Sequence, residues 1–260
     1  MRRTFMNNFL FELCAESLKA ARAAEFGGAD RIELCSELAI GGVTPAADLM
    51  TAVIQSLTIP VHVLIRPRAG DFVFSRQEFG LMLRQIEQAR EAGAAGVAIG
   101  VLLRDRRVDV ERSRKLVDAG RPMKVTFHRA FDEAADLDEA LEAVIQTGAD
   151  CLLTSGGAPD VLAGADTIAR LHLQAGPRLK IMAGGGLRLA NLVEVARRTG
   201  VSSLHGSLTR KANSAERNPA HSTNGRSVSS DATRLEADVR KLVRLLRQEV
   251  QMRESASTRA

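Results

Sequence analysis

The sequence predicts an α/β protein with a single (β/α)8 barrel, the TIM barrel, and three observations carry this prediction. Short apolar runs of strand type recur eight times between Phe9 and Ser207, and stretches with apolar residues at helical spacing separate them. Strands that alternate with helices form a parallel sheet. Eight such units in about 250 residues fit a closed barrel. A doubly wound open sheet is the alternative, but no GxGxxG motif follows its first strand.

The individual elements follow from local composition. Strands are predicted where β-branched, aromatic and leucine residues form a short run. These runs are residues 9–14, 31–35, 61–67, 96–102, 124–130, 151–156, 179–185 and 202–207. Helices are predicted where Ala, Leu, Glu and Arg dominate and a glycine often follows the last turn. The clearest are residues 75–92, 137–147, 189–199 and the final helix at 232–251.

One domain covering residues 1–260 is predicted, because a chain of this length with 45% hydrophobic residues can bury one large core. Residues 211–231 interrupt the regular pattern, since they are rich in Ser, Asn and Ala. They join the eighth predicted strand to the final helix and so form a loop at the C-terminal rim, where barrel active sites lie. The sequence allows two interpretations of this loop. It folds over a ligand, or it is disordered when no ligand is present.

The formal net charge of +5 does not by itself indicate a nucleic-acid partner. Much of the positive excess lies in residues 104–107 and 234–259, where a solvated helical surface explains it, and Trp and Tyr are absent. Asn7, Asn8 and Glu12 interrupt the first apolar stretch, so neither a signal peptide nor a membrane span is expected. Three cysteines without zinc-ribbon spacing predict reduced thiols and a cytoplasmic protein.

The side chains that face the barrel axis are predicted from the two-residue period of a strand. Positions such as Phe11, Leu13, Ile32 and Leu34 are apolar and suit the helix-facing side. The alternate positions hold acids, bases and thiols, namely Glu12, Cys14, Glu33, Cys35, His62, Arg66, Thr126, His128, Ser155, Met182, Gly184, His205 and Ser207. A carboxylate buried there without a partner is costly, so these groups must pair with one another or bind a ligand.

Residues near the C-terminal strand ends predict chemistry on an anion. The run IRPR offers the guanidinium groups of Arg66 and Arg68, and TFHRAFD offers His128 as a general acid or base with Arg129 and Asp132 beside it. The candidate acid–base residues are Glu12, Glu33, His128 and Asp132. An internal salt-bridge network, for instance one that joins Glu12 and Glu33 to Arg66 and Arg129, is the alternative.

Two glycine-containing runs add possible anion contacts through backbone amides. TSGG at residues 154–157 and AGGG at residues 183–186 each precede a helix, and barrels often bind phosphate at the loops after the last two strands. Glycines in tight turns give the same pattern. The candidate anion-binding residues are Arg66, Arg68, Arg129, Ser155, Gly184, Gly185, His205 and Ser207.

Eight runs in order give the chain a resemblance to the CutC family, whose members are described as copper homeostasis proteins. The runs are FELCAES, GGADRIELC, GGVTP, IRPRAGDFVFS, VTFHRAFD, LTSGG, IMAGGG and NLVEV. The resemblance implies a cytoplasmic TIM barrel that forms a homodimer or homotetramer. It also implies copper(I) binding by two strand-end cysteines, which correspond to Cys14 and Cys35 here. The chain departs from the family pattern at Ala46, Phe74 and Gly206, where each residue lacks a polar group common in relatives.

Two functions from different classes therefore remain open. The first is a copper(I)-binding protein that uses Cys14 and Cys35, with His205 or Met182 as a further ligand, because soft copper(I) prefers sulfur. The second is an enzyme acting on a small anionic or phosphorylated metabolite at the C-terminal rim. The sequence does not decide whether the protein is an enzyme.

Overall fold

Eight parallel strands pair in chain order, and the first strand pairs with the last, so the sheet closes into a barrel. The structure is a computed structural model that describes residues 9–208 and 227–257. The strands are β1 Leu10–Ala15, β2 Arg31–Leu34, β3 Val61–Leu64, β4 Gly96–Ile99, β5 Lys124–Phe127, β6 Cys151–Thr154, β7 Lys180–Ala183 and β8 Ser203–Gly206. This arrangement confirms the predicted barrel and excludes the open sheet.

Helices follow the strands and cover the outside of the barrel. They are α1 Leu18–Gly27, α2 Ala47–Ser56, α3 Arg76–Glu91, α4 Val110–Gly120, α5 Leu137–Thr147, α6 Ala165–Ala175, α7 Leu192–Thr199 and α8 Ser227–Ser257. Several begin at a side-chain cap, and the strongest is the reciprocal pair of hydrogen bonds between Ser75 and Glu78 at the start of α3. None of the helices in the described part of the chain is both long enough and apolar enough to cross a bilayer.

The two faces of the strands separate two kinds of interior. Phe11, Leu13, Ile32 and Leu34 belong to one large apolar cluster in which the strands pack against the helices. On the other face, Cys14, Cys35, Leu64 and Ala98 form a small cluster inside the barrel, and Cys151, Leu153 and Met182 form another. The apolar packing that holds the fold together therefore lies outside the barrel wall, while the inside is free to carry polar groups.

Helix α8 completes the outer layer by packing on α1. Val239, Leu242 and Leu246 are buried on the inner side of α8. The two helices approach most closely at Gly27, where a β-carbon would lie 2.6 Å from Cβ of Val239. Helix α8 starts at Ser227, so the last five residues of the predicted 211–231 loop are helical. Residues 211–226 of that loop lie outside the described residues.

Candidate functional site

Glu12 lies at the centre of an ionic network inside the barrel. Register places it beside Arg31 on β2 and beside His205 on β8. Its Oε2 accepts a hydrogen bond from Nε of Arg31 at 2.5 Å, and its Oε1 lies 2.8 Å from Nδ1 of His205. Burial opposes ionisation of this carboxyl, but Arg31 and His205 outweigh it and lower the pKa of Glu12 to about 2. Glu12 is therefore an anion that holds two neighbours in place.

His205 connects this network to a second carboxyl group, that of Glu33. The Nε2 atom of His205 lies 4.0 Å from Oε1 of Glu33. Burial opposes protonation of His205, but the charges of Glu33 and Glu12 and the hydrogen bond to Glu12 raise its pKa above the usual value. Burial is also the main reason that the pKa of Glu33 is raised. An imidazole between two carboxyl groups can hold a proton or accept one from a neighbour.

Two reduced thiols lie next to this network. The Sγ atoms of Cys14 and Cys35 are 3.3 Å apart, and both side chains are buried. The hydrogen bond with Cys35, burial and the charge of Glu33 raise the pKa of the Cys14 thiol well above its usual range. One donor atom each from Cys14, Glu33 and His205 lie within 4.8 Å of one another. Three side chains that can bind a metal thus meet in one place, and Cys35 contacts one of them, Cys14.

Arg66 occupies a separate part of the interior, just after β3. Its guanidinium donates hydrogen bonds to the carbonyl oxygens of Gly41, Gly42 and Gly70, and it stacks over the ring of Phe72. Its Nε is buried and has no hydrogen-bond partner among the described residues. A β-carbon at Gly41 would lie 3.1 Å from Nη1 of Arg66 and 3.5 Å from Nη1 of Arg129, so two guanidinium groups flank this glycine.

His128 lies near Arg66, with the ring of Phe72 5.2 Å from its own ring. Its Nδ1 accepts a hydrogen bond from the backbone N–H of Ala130, so the proton of the neutral ring is on Nε2. That Nε2 is buried and finds no partner among the described residues. Burial and the charge of Arg66 lower the pKa of His128 to about 3. His128 is therefore a neutral hydrogen-bond donor near pH 7.

Comparison with known proteins identifies the family. The model of the CutC family matches residues 9–210. A family protein CutC from Porphyromonas gingivalis is 45% identical over 197 residues, which cover 76% of this chain and 79% of that protein. One from Caulobacter vibrioides is 46% identical over 198 residues and 80% of its length. The chain belongs to the CutC family.

Solved structures agree with this assignment. A Streptococcus agalactiae CutC, described as a candidate copper homeostasis protein, shares 31% identity and superposes with a TM-score of 0.73 over 77% of this chain and all of that one. A lyase or mutase candidate from Burkholderia cenocepacia has a TM-score of 0.56 at 22% identity and shows the barrel fold alone. The fold of this CutC member is thus shared far beyond its family.

Other predicted residues of this CutC chain take structural roles. Arg68 donates hydrogen bonds to Asp71, Glu78 and backbone carbonyls and stacks over Phe74, so its donors are already engaged. Asp132 does not contact His128 in any described hydrogen bond. It accepts hydrogen bonds from Thr154 Oγ1 and from the backbone N–H groups of Ser155 and Gly157, which fixes the loop after β6.

The glycine loop after β7, residues 184–186, lies close to Ser155 and His205. A β-carbon at Gly185 would lie 3.0 Å from Cβ of Ser155, and one at Gly184 would lie 3.0 Å from Cβ of His205. Ser155 donates its hydroxyl to the carbonyl of Ala158, and its backbone N–H serves Asp132. Ser155, Gly184, Gly185 and His205 are therefore close together at one end of the barrel. Ser207 follows directly after β8.

The predicted site residues thus fall into two groups. One group contains Glu12, Cys14, Glu33, Cys35 and His205. The other contains Arg66, Arg129 and His128. Sequence reasoning missed Arg31, the ion-pair partner of Glu12. A signal was present, because Arg31 lies two residues before Glu33 and so shares its side of β2. Met182, named as a possible copper ligand, instead accepts a contact at 3.7 Å from Nη2 of Arg31.

Proposed function

We propose that this CutC member binds copper(I) through Cys14 and Cys35. The observation that carries the proposal is the 3.3 Å contact between their reduced Sγ atoms, one on β1 and the other directly after β2. Copper(I) is a soft ion that prefers thiolate ligands, so two adjacent reduced thiols suit it. The relatives' name points to the same metal, since the similar Streptococcus agalactiae protein is described in terms of copper homeostasis.

The surrounding residues suit such a cargo. A thiol whose pKa is raised by hydrogen bonding and burial is protonated near pH 7, so Cys14 must release a proton when copper binds. Glu33 and His205 lie within 4.8 Å of the Cys14 donor atom and offer places for that proton or a third ligand. Arg31 and Glu12 hold His205 in position through their hydrogen bonds.

Replacing both cysteines with serine should abolish copper(I) binding. A competition titration against a coloured copper(I) chelator, without oxygen, should give one copper per wild-type chain and an affinity lowered about 100-fold or more in the Cys14→Ser/Cys35→Ser variant, because serine is a poor ligand for a soft ion. Cys151→Ser is the matched control, since Cys151 is buried in a different cluster inside the barrel. Equal binding by the double variant and the wild type would refute the site.

A specific observation also favours the second candidate function, an enzyme for a small anionic or phosphorylated metabolite. Nε of Arg66 and Nε2 of His128 are both buried donors without partners among the described residues. Leaving such groups unpaired costs about 1 to 3 kcal/mol each, so a ligand that accepts their hydrogen bonds would be stabilised. Arg129, which is exposed, adds a positive charge close to Arg66.

A thermal-shift screen against phosphorylated and carboxylated metabolites tests this candidate. A ligand at about 100 times its Kd should stabilise the wild type by roughly 2.7 kcal/mol, which corresponds to several degrees in Tm. Arg66→Ala and the milder Arg129→Gln should remove the shift, whereas Arg104→Gln, an exposed arginine elsewhere, should keep it. If no metabolite stabilises the wild type more than the Arg66 and Arg129 variants, the enzyme candidate fails.

The family resemblance also leads us to propose a cytoplasmic protein that assembles into a dimer or tetramer. Exposed apolar side chains on the outer helices, among them Phe26 and Leu173, offer surface for such contacts. Light scattering on the purified protein measures the assembly state directly.

A further inference from the structure

The N-terminal end of the barrel contains a polar cavity of about 270 Å³. It lies where the strands begin, at the opposite end from the loops after β6 and β7. The residues that matter here are Arg31, His62, Lys124, Asp150, Lys180 and Ser203, and all six line the cavity. The N-terminal face of a TIM barrel ordinarily serves stability, so a hydrophilic cavity there needs a reason.

The charges around the cavity are mainly positive. Arg31, Lys124 and Lys180 carry three cationic groups, whereas Asp150 is the acidic residue in the lining. The carboxylate of Asp150 is already bound by Lys124 at 2.8 Å, by Arg121 at 2.6 Å and by the backbone N–H of Val125. Lys180 forms no ion pair with any described residue. The cavity therefore has a cation available for an outside ligand.

Two residues of the lining also carry polar atoms that are left without partners. Nδ1 of His62 and Oγ of Ser203 are buried and form no hydrogen bond within the described residues. Burial and the charge of Arg31 lower the pKa of His62 to about 4, so its ring is neutral near pH 7. A neutral imidazole and a hydroxyl can each donate one hydrogen bond. Buried groups of this kind usually find a partner in protein, water or ligand.

We propose that this cavity binds a small oxyanion of the phosphate class. Such an anion offers several acceptor oxygens, which match an ammonium group, a guanidinium group and a hydroxyl arranged around one space. The volume suits an anion of a few heavy atoms better than an extended metabolite, because pockets for larger ligands usually exceed roughly 300 Å³. The lining contains none of Cys14, Cys35 and Arg66. Arg31 also pairs with Glu12, so the test relies on Lys180 and Ser203, which neither candidate function uses.

Calorimetric titration of the full-length protein with inorganic phosphate tests the proposal, with glycerol phosphate as a second probe and sodium chloride at equal ionic strength as the blank. Saturable binding of either probe is expected, and the tighter one tells whether the free ion or a phosphoryl group is the occupant. Lys180→Gln should raise Kd about 10-fold or more, since a charge-assisted hydrogen bond contributes about 1.5 to 3 kcal/mol. Lys180 is exposed, so its loss should leave the fold intact.

Lys241→Gln on the exposed side of α8 is the matched control and should leave Kd unchanged. Ser203→Ala gives a second, uncharged variant in the cavity and should also weaken binding. Arg66→Ala, at the other group of arginines, should bind both probes as tightly as the wild type. The proposal is overturned if neither probe binds saturably, if Lys180→Gln binds as well as Lys241→Gln, or if Arg66→Ala is the variant that loses binding.

Discussion

Glu12→Gln is expected to lower the free energy of unfolding by about 3 to 5 kcal/mol, the usual cost of removing one partner of a buried ion pair. Glutamine keeps the shape of the side chain but removes the charge that holds Arg31 and His205. Both neighbours would then keep buried polar groups without an anionic partner. Urea unfolding of the wild type and the variant at pH 7 measures this difference.

The difference in unfolding free energy between the wild type and Glu12→Gln is expected to depend on pH. Arg31 and His205 overcome the effect of burial and lower the pKa of Glu12 from 4.5 to about 2. The stabilisation by this carboxylate is therefore complete above about pH 4.5 and is lost as pH falls toward 2. The two proteins should differ most at neutral pH and converge in acid.

Glu87→Gln is the control for Glu12→Gln, because Glu87 is an exposed partner of Arg90 on α3. Surface ion pairs contribute about 1 kcal/mol or less, so this variant should unfold close to the wild type. A Glu12→Gln protein that is as stable as the Glu87→Gln protein at pH 7 would show that Glu12 is not the centre of the network.

Gly164→Ala is expected to destabilise the protein by about 3 kcal/mol or more, because the new methyl group would overlap the backbone. Gly164 precedes α6, and a β-carbon there would lie 1.9 Å from the carbonyl oxygen of Ser155. A carbonyl cannot rotate away as a flexible side chain can. The loop after β6 would have to move, and with it the hydrogen bonds from Ser155 and Gly157 to Asp132.

Gly80→Ala provides the matched control within a helix. A β-carbon at Gly80 would meet Nη1 of Arg84 at 3.7 Å, an ordinary contact, and alanine favours a helix over glycine by about 1 kcal/mol. This variant should be as stable as the wild type or slightly more stable. Thermal and urea unfolding measure the stability of both variants. Equal stability of Gly164→Ala and Gly80→Ala would contradict the close approach of Gly164 to the carbonyl of Ser155.

The barrel and the inward-facing residues could be predicted because one rule of strand geometry governs both. Phe11 and Leu13 must pack on helices, so Glu12 and Cys14 must face the other way. The structure places Phe11 and Leu13 in the large apolar cluster, Cys14 in a different cluster and Glu12 in the ionic network. No contact between distant residues is needed for that step. The meeting of Cys14 with Cys35 then follows from the pairing of β1 with β2.

Partners across the barrel could not be predicted in the same way. The sequence offered Arg66 and Arg129 as partners for the inward carboxylates, whereas Arg31 binds Glu12 and Arg66 binds backbone carbonyls. Which arginine pairs with Glu12 depends on the register between β1 and β2, and local composition does not encode that register. Asp132 was predicted to act with His128 because the two residues are close in sequence. In the structure, the turn at residues 129–133 carries the carboxylate of Asp132 toward Thr154 instead.

Strand and helix ends show a similar limit. The predicted strand at residues 61–67 is only Val61–Leu64 in the structure. Ile65 still donates a backbone hydrogen bond to Ala98, but the N–H of Arg66 donates to Oγ1 of Thr44 instead of to a strand. The final helix, predicted for residues 232–251, extends over Ser227–Ser257. Polar residues in its first turns lowered the helical signal although they favour a helix start.

The pairing of β1 with β8 has a consequence for synthesis on the ribosome. Until residues 203–206 emerge from the exit tunnel, one edge of β1 has backbone amides and carbonyls without partners. Helix α1 lacks its packing partner until α8 has emerged as well. Every strand from β1 to β8 must be made before the barrel can close. Nascent chains of this protein are therefore expected to depend on protection from aggregation until β8 and α8 have emerged.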